Sequence, residues 1–223
     1  MIIELDDDIV EIMESNGDKK VEEFYDDLED AKDHGKLVSN LAIMLSRKLG
    51  DRLADSCEIS RAGMVHDIGK LQIGKYLYGR QTDILKIEEM KYIRMHPELG
   101  FMELKNRGGF SDIILGAVCH HHENYDGSGY PGNLKGEEIP YAARILRICD
   151  VYAALISERV YRPAYDEDTA MTLMIDEVKH FDMKMFLAFM SVVHSSDFDD
   201  IRSLSTQINE KEIRRLNRLK LRV

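Results

Sequence analysis

The sequence has few of the features that mark secreted or membrane proteins. It contains no tryptophan and three cysteines, Cys57, Cys119 and Cys149, with no Cys-x-x-Cys pair. An odd number of unclustered cysteines argues against a disulfide framework and favours a reducing compartment. No apolar run reaches the roughly 18 residues that a membrane span needs, and residues 1–6 lack the pattern of a signal peptide. These absences predict a cytoplasmic protein.

Negative charge is concentrated at the beginning of the chain. Residues 1–33 hold fourteen acidic residues and three lysines, which accounts for the whole net charge of −11. The rest of the chain is balanced, and a mixed surface argues against DNA binding. Residues 211–223 are basic, which is typical of a solvated helix face or of a surface for an anionic partner. The acidic arm and the basic helix are therefore two candidate docking segments, and apolar residues near the termini would also permit a homodimer.

Hydrophobic spacing predicts helices along almost the whole chain. Val38, Leu41, Leu45 and Leu49 recur at intervals of three and four residues, and Gly50 follows as a stop signal. Strictly alternating segments are short, so we expect few or no strands. Similar signals predict further helices over about 53–66, 84–95, 97–108, 111–122, 140–155, 167–180 and 182–194.

The helices and the charge pattern together predict an all-α protein with one main domain. Four glycines within ten residues mark residues 124–139 as the one long loop. We assign an acidic arm to residues 1–29, the helical domain to residues 30–200 and a basic helix to residues 201–223.

Histidines and carboxylates at predicted helix ends indicate a metal site. Asp67 and Asp150 accompany the histidines, and helix ends in a bundle can converge on one cavity. Mixed imidazole and carboxylate ligands suit Fe, Mn or Zn and disfavour Ca or Mg. Next to a glycine-rich loop, they indicate a metal-activated hydrolase of a phosphate ester. Six of the eight histidines lie between residues 34 and 122: His34, His66, His96, His120, His121 and His122.

Five motifs occur in a fixed order within about residues 30–194. Together they resemble the HD-GYP family of HD-domain phosphohydrolases. They are Val65-His66-Asp67-Ile68-Gly69-Lys70, His96-Pro97-Glu98-Leu99-Gly100, His121-His122-Glu123 with Asp126-Gly127-Ser128-Gly129-Tyr130-Pro131, Leu134-Lys135-Gly136-Glu137-Glu138-Ile139-Pro140, and Asp150-Val151-Tyr152. His34 precedes them and Arg159-Val160-Tyr161-Arg162 follows.

The resemblance implies an HD-domain helical bundle with an HD-GYP extension. Its implied activity is hydrolysis of the bacterial signalling molecule cyclic di-GMP to pGpG or GMP by a metal-bridged hydroxide. Two divalent ions, iron or manganese, are implied. The implied ligands of one ion are His34, His66, Asp67 and Asp150, and Asp67 bridges to a second ion held by His96, His121 and His122.

The resemblance also implies roles for residues around the metals. Lys70 matches a lysine near the scissile phosphate, and Tyr130, Arg159 and Arg162 match positions that contact the nucleotide. Asp67 and Lys70 are therefore the predicted catalytic residues. Glu123 lies beside two ligands, which predicts that it orients a ligating imidazole.

Two departures from the family pattern bear on activity. Asp30 stands where some members have a glutamate that binds a third metal, and it is one methylene shorter, so we favour two ions. Ala153 replaces a usual aspartate, which removes a carboxylate expected to touch the substrate or order the loop. Two alternatives therefore stay open: a hydrolase of another cyclic dinucleotide or nucleotide phosphoester, and a weakly active module that binds cyclic di-GMP for signalling.

Overall fold

The computed structural model describes residues 17–73, 91–159 and 162–220, with side chains described from residue 31 to residue 217 within those ranges. These residues form helices and no strand, apart from an isolated antiparallel bridge between Arg159 and Arg162. The predicted all-α fold is confirmed. The α-helices are α1 (Gly17–Leu49), α2 (Leu53–Val65), α3 (His96–Arg107), α4 (Asp112–His120), α5 (Tyr141–Leu155), α6 (Glu167–Asp176), α7 (Met183–Val193) and α8 (Asp199–Lys220).

Short 3-10 helices complete the described secondary structure. They cover Ile68–Ile73, Gly136–Glu138, Val178–His180 and Ser196–Phe198. Most of the predicted helix over residues 84–95 lies outside the described residues. Within its described part, residues 91–93 are helical.

Local signals in the sequence explain where several helices begin and end. Gly50 follows α1 with φ +94°, a conformation that suits glycine. Pro97 lies in the first turn of α3, where its missing N–H costs nothing, and Gly108 ends that helix with φ +72°. The hydroxyl of Ser111 accepts a hydrogen bond from the Ile114 N–H at 3.4 Å and caps α4.

The core surrounds α1, which packs against α2, α5, α7 and α8. Leu41, Leu45, Leu146 and Phe189 are fully buried there, and burial of each such side chain contributes about 1.5–3 kcal/mol. Helix α4 packs against α2, α3 and α5. This arrangement brings the end of α2, the beginning of α3 and the end of α4 towards α5.

Two glycines permit the close approaches that shape this region. A Cβ atom on Gly63 of α2 would lie 3.0 Å from the Ser39 backbone of α1. A Cβ atom on Gly69 would lie 2.0 Å from the His96 carbonyl oxygen and 2.6 Å from the Gly100 nitrogen. Since no side chain fits there, Gly69 allows the segment after α2 to lie directly on the first turn of α3.

The two ends of the domain also pack together. Helix α1 begins at Gly17, so residues 17–29 of the acidic arm are helical and continuous with the domain. The Lys211 ammonium of α8 lies 2.6 Å from the Asp33 carboxylate of α1. The division into arm, domain and basic helix stays a prediction. Among the described helices, none combines the length and apolar character needed to span a bilayer.

Candidate metal centre

The seven predicted ligands come from five segments of the chain, and the fold brings their side chains together. Helix ends supply most of them, as the sequence predicted. His34 lies in α1, His66 and Asp67 directly follow α2, His96 begins α3, His121 and His122 follow α4, and Asp150 lies in α5.

Their ligand atoms form two adjacent groups. Within each group, one ligand atom from every residue lies within 4.8 Å of the others. The first group is His34, His66 and Asp150, and the second is Asp67, His96, His121 and His122. The juxtaposition agrees with the predicted pair of ion sites, while the role of each residue as a ligand stays a prediction.

Asp67, a member of the second group, borders the first group and directs one oxygen to each side. Its Oδ2 atom is 3.4 Å from His66 Nε2 on the first side. Its Oδ1 atom is 3.2 Å from His96 Nε2 and 3.8 Å from His121 Nε2 on the second side. This placement is what a carboxylate shared by two neighbouring cations requires.

Backbone carbonyls fix the orientation of three imidazoles. The Nδ1 atoms of His66, His96 and His121 lie 2.7, 2.6 and 2.8 Å from the carbonyl oxygens of Gly63, Ile93 and Val118 respectively, each three residues earlier. A carbonyl oxygen can only accept, so each Nδ1 must carry the proton. In a neutral ring, the Nε2 atom then carries a lone pair that is directed into the site. This tautomer is the one that binds a metal through Nε2.

Two of these lone pairs face each other. His96 Nε2 and His121 Nε2 lie 3.1 Å apart, and both residues are buried. Burial and the neighbouring histidines hold the pKa of His121 well below its usual range. With both Nδ1 positions already protonated, this contact is repulsive unless a proton or a cation lies between the two nitrogens.

The carboxylates of the site stay ionised. Burial alone would raise the pKa of Asp67, but Lys70 and His66 hold it well below its usual range. Asp150 behaves in the same way, because His34 and His66 outweigh its burial. The two carboxylates in turn overcome the burial of His66 and raise its pKa to about 10.

Two further imidazoles, those of His34 and His122, are held neutral. Burial lowers the pKa of His34, although Asp150 opposes the shift. Burial lowers the pKa of His122 to about 3. Imidazoles and ionised carboxylates, with buried polar atoms on His66 and Asp67 that have no hydrogen-bond partner, form a donor set that fits divalent cations, and a cation would displace the second proton of His66.

Glu123 organises the glycine-rich loop. Its buried carboxylate accepts hydrogen bonds from the Gly132 N–H at 2.6 Å and the Leu134 N–H at 3.1 Å. Its closest imidazole is that of His120, at 3.7 Å, which belongs to neither ligand group. The predicted role of Glu123 in orienting a ligating imidazole therefore has no support from its position. The turn after α4 directs this side chain towards the loop and away from the ligands.

Tyr130 covers one side of the second group. Its ring stacks on His122, with centroids 4.8 Å apart and planes at 22°, and the Arg94 guanidinium lies 5.2 Å from its centroid. Gly129 permits this position, since a Cβ atom there would lie 2.2 Å from the Asn124 nitrogen. The loop therefore places Tyr130 against the candidate centre. The predicted contact between Tyr130 and a nucleotide stays a prediction.

Lys70 and the predicted arginines are placed differently from one another. The Lys70 ammonium lies 2.6 Å from Asp67 Oδ2, inside the site. The Arg162 guanidinium instead donates to the carbonyl oxygens of Ala154, Leu155 and Pro163 at 2.7–3.1 Å and lies over the Tyr165 ring. These donors are engaged within the protein, so the predicted nucleotide contact of Arg162 has no support from its position.

Three other predicted positions make no described side-chain contact with the ligand groups. Arg159 is partly buried and pairs through its backbone with Arg162. Ala153 is fully buried in the core, so the missing carboxylate would not lie on an open surface. The side chain of Asp30, the candidate for a third metal, lies outside the described residues.

Two further residues of this region, Arg147 and Asn124, were not predicted from the sequence. Arg147 lies one turn before Asp150 in α5, and its Nε donates to the Asn124 side-chain oxygen at 2.9 Å. Asn124 also donates to the Ser128 hydroxyl at 2.9 Å, which ties this pair to the loop. The spacing of three residues from Asp150 was the available signal, since such residues share one helix face.

Within the described residues, fold and site together define an all-helical domain with a buried cluster of histidines and aspartates suited to divalent cations. A family model described as HD domain matches residues 20–185. The chain belongs to the HD domain family, which implies divalent metal binding, and the predicted resemblance to its HD-GYP branch is confirmed.

Individual relatives agree with this assignment. A cyclic di-GMP phosphodiesterase of Pseudomonas aeruginosa is 35% identical over 165 residues, covering 72% of this chain and 38% of the relative. A 3'3'-cGAMP-specific phosphodiesterase of Vibrio cholerae is 31% identical over 173 residues, covering 76% and 32%. This chain therefore spans about a third of the length of these relatives.

A solved structure supports the fold independently. The HDG"Y"P protein from Bdellovibrio bacteriovorus aligns with a TM-score of 0.59 at 19% identity, covering 74% of this chain and 53% of that one. At this identity the likeness bears on the fold alone.

Proposed function

We propose that this protein is a metal-dependent phosphodiesterase that hydrolyses cyclic di-GMP to pGpG, GMP or both. The observation that carries the proposal is the position of Asp67 between two groups of ligand atoms. The curated relative from Pseudomonas aeruginosa supports the choice of substrate. Hydrolysis of a phosphodiester is one of the reactions that a pair of neighbouring cations promotes.

We propose two resident cations, iron or manganese. His34, His66 and Asp150 would hold one, and His96, His121 and His122 the other, with Asp67 shared. Five imidazoles and two carboxylates favour these metals over Ca or Mg. When bound, such a pair lowers the pKa of a water molecule and offsets negative charge on the phosphoryl oxygens.

The protein's own residues orient the substrate and balance its charge. Lys70 is held 2.6 Å from Asp67 Oδ2, so its ammonium can reach a phosphoryl oxygen beside that carboxylate and stabilise charge there. Tyr130, stacked on His122, offers a flat face to a base at the edge of the site. Glu123 fixes the loop that carries Tyr130 through two backbone N–H groups. These contacts support binding before reaction and reduce motion of the loop.

The proposal is tested by product analysis with matched variants. Protein loaded anaerobically with iron or manganese is incubated with cyclic di-GMP, and the products are separated by chromatography. Wild-type protein should yield pGpG or GMP, and the His66→Ala and Asp67→Ala variants should yield neither. His120→Ala is the control, because His120 belongs to the same histidine triplet but to neither ligand group. Wild-type protein that holds two metals and leaves cyclic di-GMP intact would overturn the proposal.

A second substrate is favoured by one observation. The Vibrio cholerae relative specific for 3'3'-cGAMP covers more of this chain than the Pseudomonas relative does. The same assay with 3'3'-cGAMP therefore distinguishes the two dinucleotides by their ratio of kcat/KM. Tight binding of cyclic di-GMP without products would instead favour a signalling module of low activity.

Docking, dimerisation and location form a separate part of the proposal. The acidic residues at the start of the chain would bind a partner, and free cysteines with a nucleotide substrate favour the cytoplasm. The basic helix contributes less, because Lys211 already pairs with Asp33. Deletion of residues 1–16 should leave turnover unchanged if they serve docking alone. Light scattering of the full chain and of this deletion tests for a homodimer.

A further inference from the structure

Arg147 carries a positive charge beside the candidate centre without a carboxylate partner among the described residues. Within them, its side chain makes one hydrogen bond, from Nε to the Asn124 oxygen at 2.9 Å. Arg144, one turn earlier in α5, shows the usual arrangement, since its guanidinium lies 2.8 Å from the Asp182 carboxylate. The two arginines therefore differ in their contacts. Arg144 forms an ion pair with Asp182, whereas Arg147 has guanidinium donors that make no hydrogen bond within the described residues.

The surroundings of Arg147 place these donors at the site. Arg147 and Asp150 lie one turn apart on α5. Asn124, which holds the Nε atom, is two residues beyond His122 and bonds to Ser128 of the loop. Burial lowers the pKa of Arg147, while Asp150 opposes the shift. The contact with Asn124 thus ties the guanidinium to the segment that joins His122 to the loop.

An unmatched guanidinium in such a place favours an anionic ligand. With Nε anchored, the two terminal nitrogens remain as a fork that suits two oxygens of one phosphate. The edge of a guanine would accept the same hydrogen bonds but would leave the charge uncompensated. Arg162, the arginine predicted for such a contact, has its donors on backbone carbonyls. Arg147 is therefore better placed than Arg162 to bind a phosphate.

We infer that Arg147 binds the second, non-reacting phosphodiester of a cyclic dinucleotide while the first lies at the two ligand groups. The inference rests on the proposed function, because it needs a substrate with two phosphates. In this role Arg147 is a substrate-binding residue that selects cyclic dinucleotides over simple phosphodiesters. Asn124 positions the guanidinium through the Nε contact.

The test compares two substrates on metal-loaded Arg147→Gln, Arg147→Lys and wild-type protein. One substrate is cyclic di-GMP, and the other is bis(p-nitrophenyl) phosphate, which has a single phosphodiester. Loss of a charged, paired hydrogen bond should lower kcat/KM for cyclic di-GMP about 10- to 100-fold, mainly through KM. Turnover of the single phosphodiester should stay within about twofold. Arg147→Lys should recover part of the loss, because it keeps the charge without the fork.

Binding is measured separately from turnover. Calorimetry with the non-hydrolysable phosphorothioate analogue of cyclic di-GMP should show a Kd about tenfold or more weaker for Arg147→Gln. Arg107→Gln is the control, since Arg107 lies at the exposed end of α3 and pairs with Glu103. Thermal unfolding establishes that each variant is folded.

The outcomes separate the inference from the proposed function. If wild-type protein neither binds nor cleaves cyclic di-GMP, the proposed function fails and the inference fails with it. If wild-type protein is active and Arg147→Gln matches it on both substrates, the inference alone is overturned. Equal losses on both substrates would overturn it as well, because they would assign Arg147 to the reacting phosphate or to the fold.

Discussion

His96 and His121 direct their Nε2 atoms at each other across 3.1 Å while each Nδ1 donates to a backbone carbonyl. The backbone thus fixes both rings in the orientation that repels a neighbour and attracts a cation. A proton or a metal ion between the nitrogens would relieve the repulsion. Binding of a metal ion to the second ligand group should therefore stabilise the folded protein.

Removal of metal should consequently lower the stability of the fold. A cation that binds the folded protein at 100 to 1,000 times its Kd adds about 2.7–4 kcal/mol to the free energy of unfolding. Wild-type protein should thus lose several degrees of Tm when a chelator is added, and His121→Ala should lose much less. Scanning calorimetry with and without chelator measures both. His194→Ala, at an exposed position outside both groups, should respond as wild type does; an equal response from His121→Ala would contradict this account.

Asp67→Asn should affect both ion sites at once. The variant keeps the size of the side chain but removes the charge between the two groups. We expect metal content to fall clearly below that of wild type and turnover of cyclic di-GMP to fall at least about 10²- to 10³-fold. Mass spectrometry of the metals and chromatography of the products measure the two effects. Full metal content with normal turnover would refute the shared role of Asp67.

The sequence was sufficient to predict, through its resemblance to the family, which histidines and aspartates lie together. It was not sufficient for Glu123, whose direction depends on the turn that follows α4 and on two N–H groups in a distant part of the loop. Nor could it show that Arg162 would be engaged by carbonyls of α5. Both outcomes depend on tertiary contacts, which spacing along the chain does not encode.

The charge pattern did not predict where the first helix begins. Composition marks a change in charge near residue 33, but α1 begins at Gly17. Glutamate is a good helix former, and the hydrophobic face of the following turns can extend a helix across such a change even where aspartates occur. A change of net charge is therefore a weak signal for the end of a helix.

Glu123→Gln should separate the loop from the metals. The amide keeps one acceptor and loses the charge, so one of the N–H groups of Gly132 and Leu134 loses its partner. We expect a loss of about 1–3 kcal/mol in the free energy of unfolding with metal content unchanged. Urea unfolding and metal analysis on one preparation measure both. Loss of metal with unchanged stability would instead support the original prediction that Glu123 orients a ligand.

Glu58 gives a prediction for acid conditions away from the centre. It accepts a hydrogen bond from the Ser111 hydroxyl at 2.5 Å and pairs with Arg61 at 2.7 Å. The Ser111 contact, opposed by burial and aided by Arg61, lowers the pKa of Glu58 below its ordinary value of 4.5. The folded state therefore stabilises the ionised carboxylate more than the unfolded state does. This contribution to the free energy of unfolding is complete above about pH 4.5 and is lost as the pH falls through the pKa of the folded state.

Glu58→Gln should therefore cost about 0.5–1.5 kcal/mol at pH 7 and progressively less below pH 4.5. Urea unfolding of chelated protein at a series of pH values gives the difference between variant and wild type, in which effects of the histidines cancel. Glu210→Gln is the control, because its pair with Arg214 is exposed and should contribute little at any pH. A difference for Glu58→Gln that stays constant from pH 7 to pH 3 would contradict the assignment.

Gly69→Ala tests whether close packing holds Asp67 against α3. The added Cβ atom would lie 2.0 Å from the His96 carbonyl oxygen, so the backbone must move. Overpacking of this kind costs about 1–3 kcal/mol or more, and the shift should also separate Asp67 from His96 and weaken metal binding. Gly116→Ala is the matched control, because Gly116 lies inside α4 and its added Cβ atom would meet Pro140 at 3.6 Å, which is an ordinary contact distance. That variant should gain about 0.5–1 kcal/mol from helix propensity and keep its metals. If Gly69→Ala retained both stability and metal content, the approach of Asp67 to His96 could not depend on this glycine.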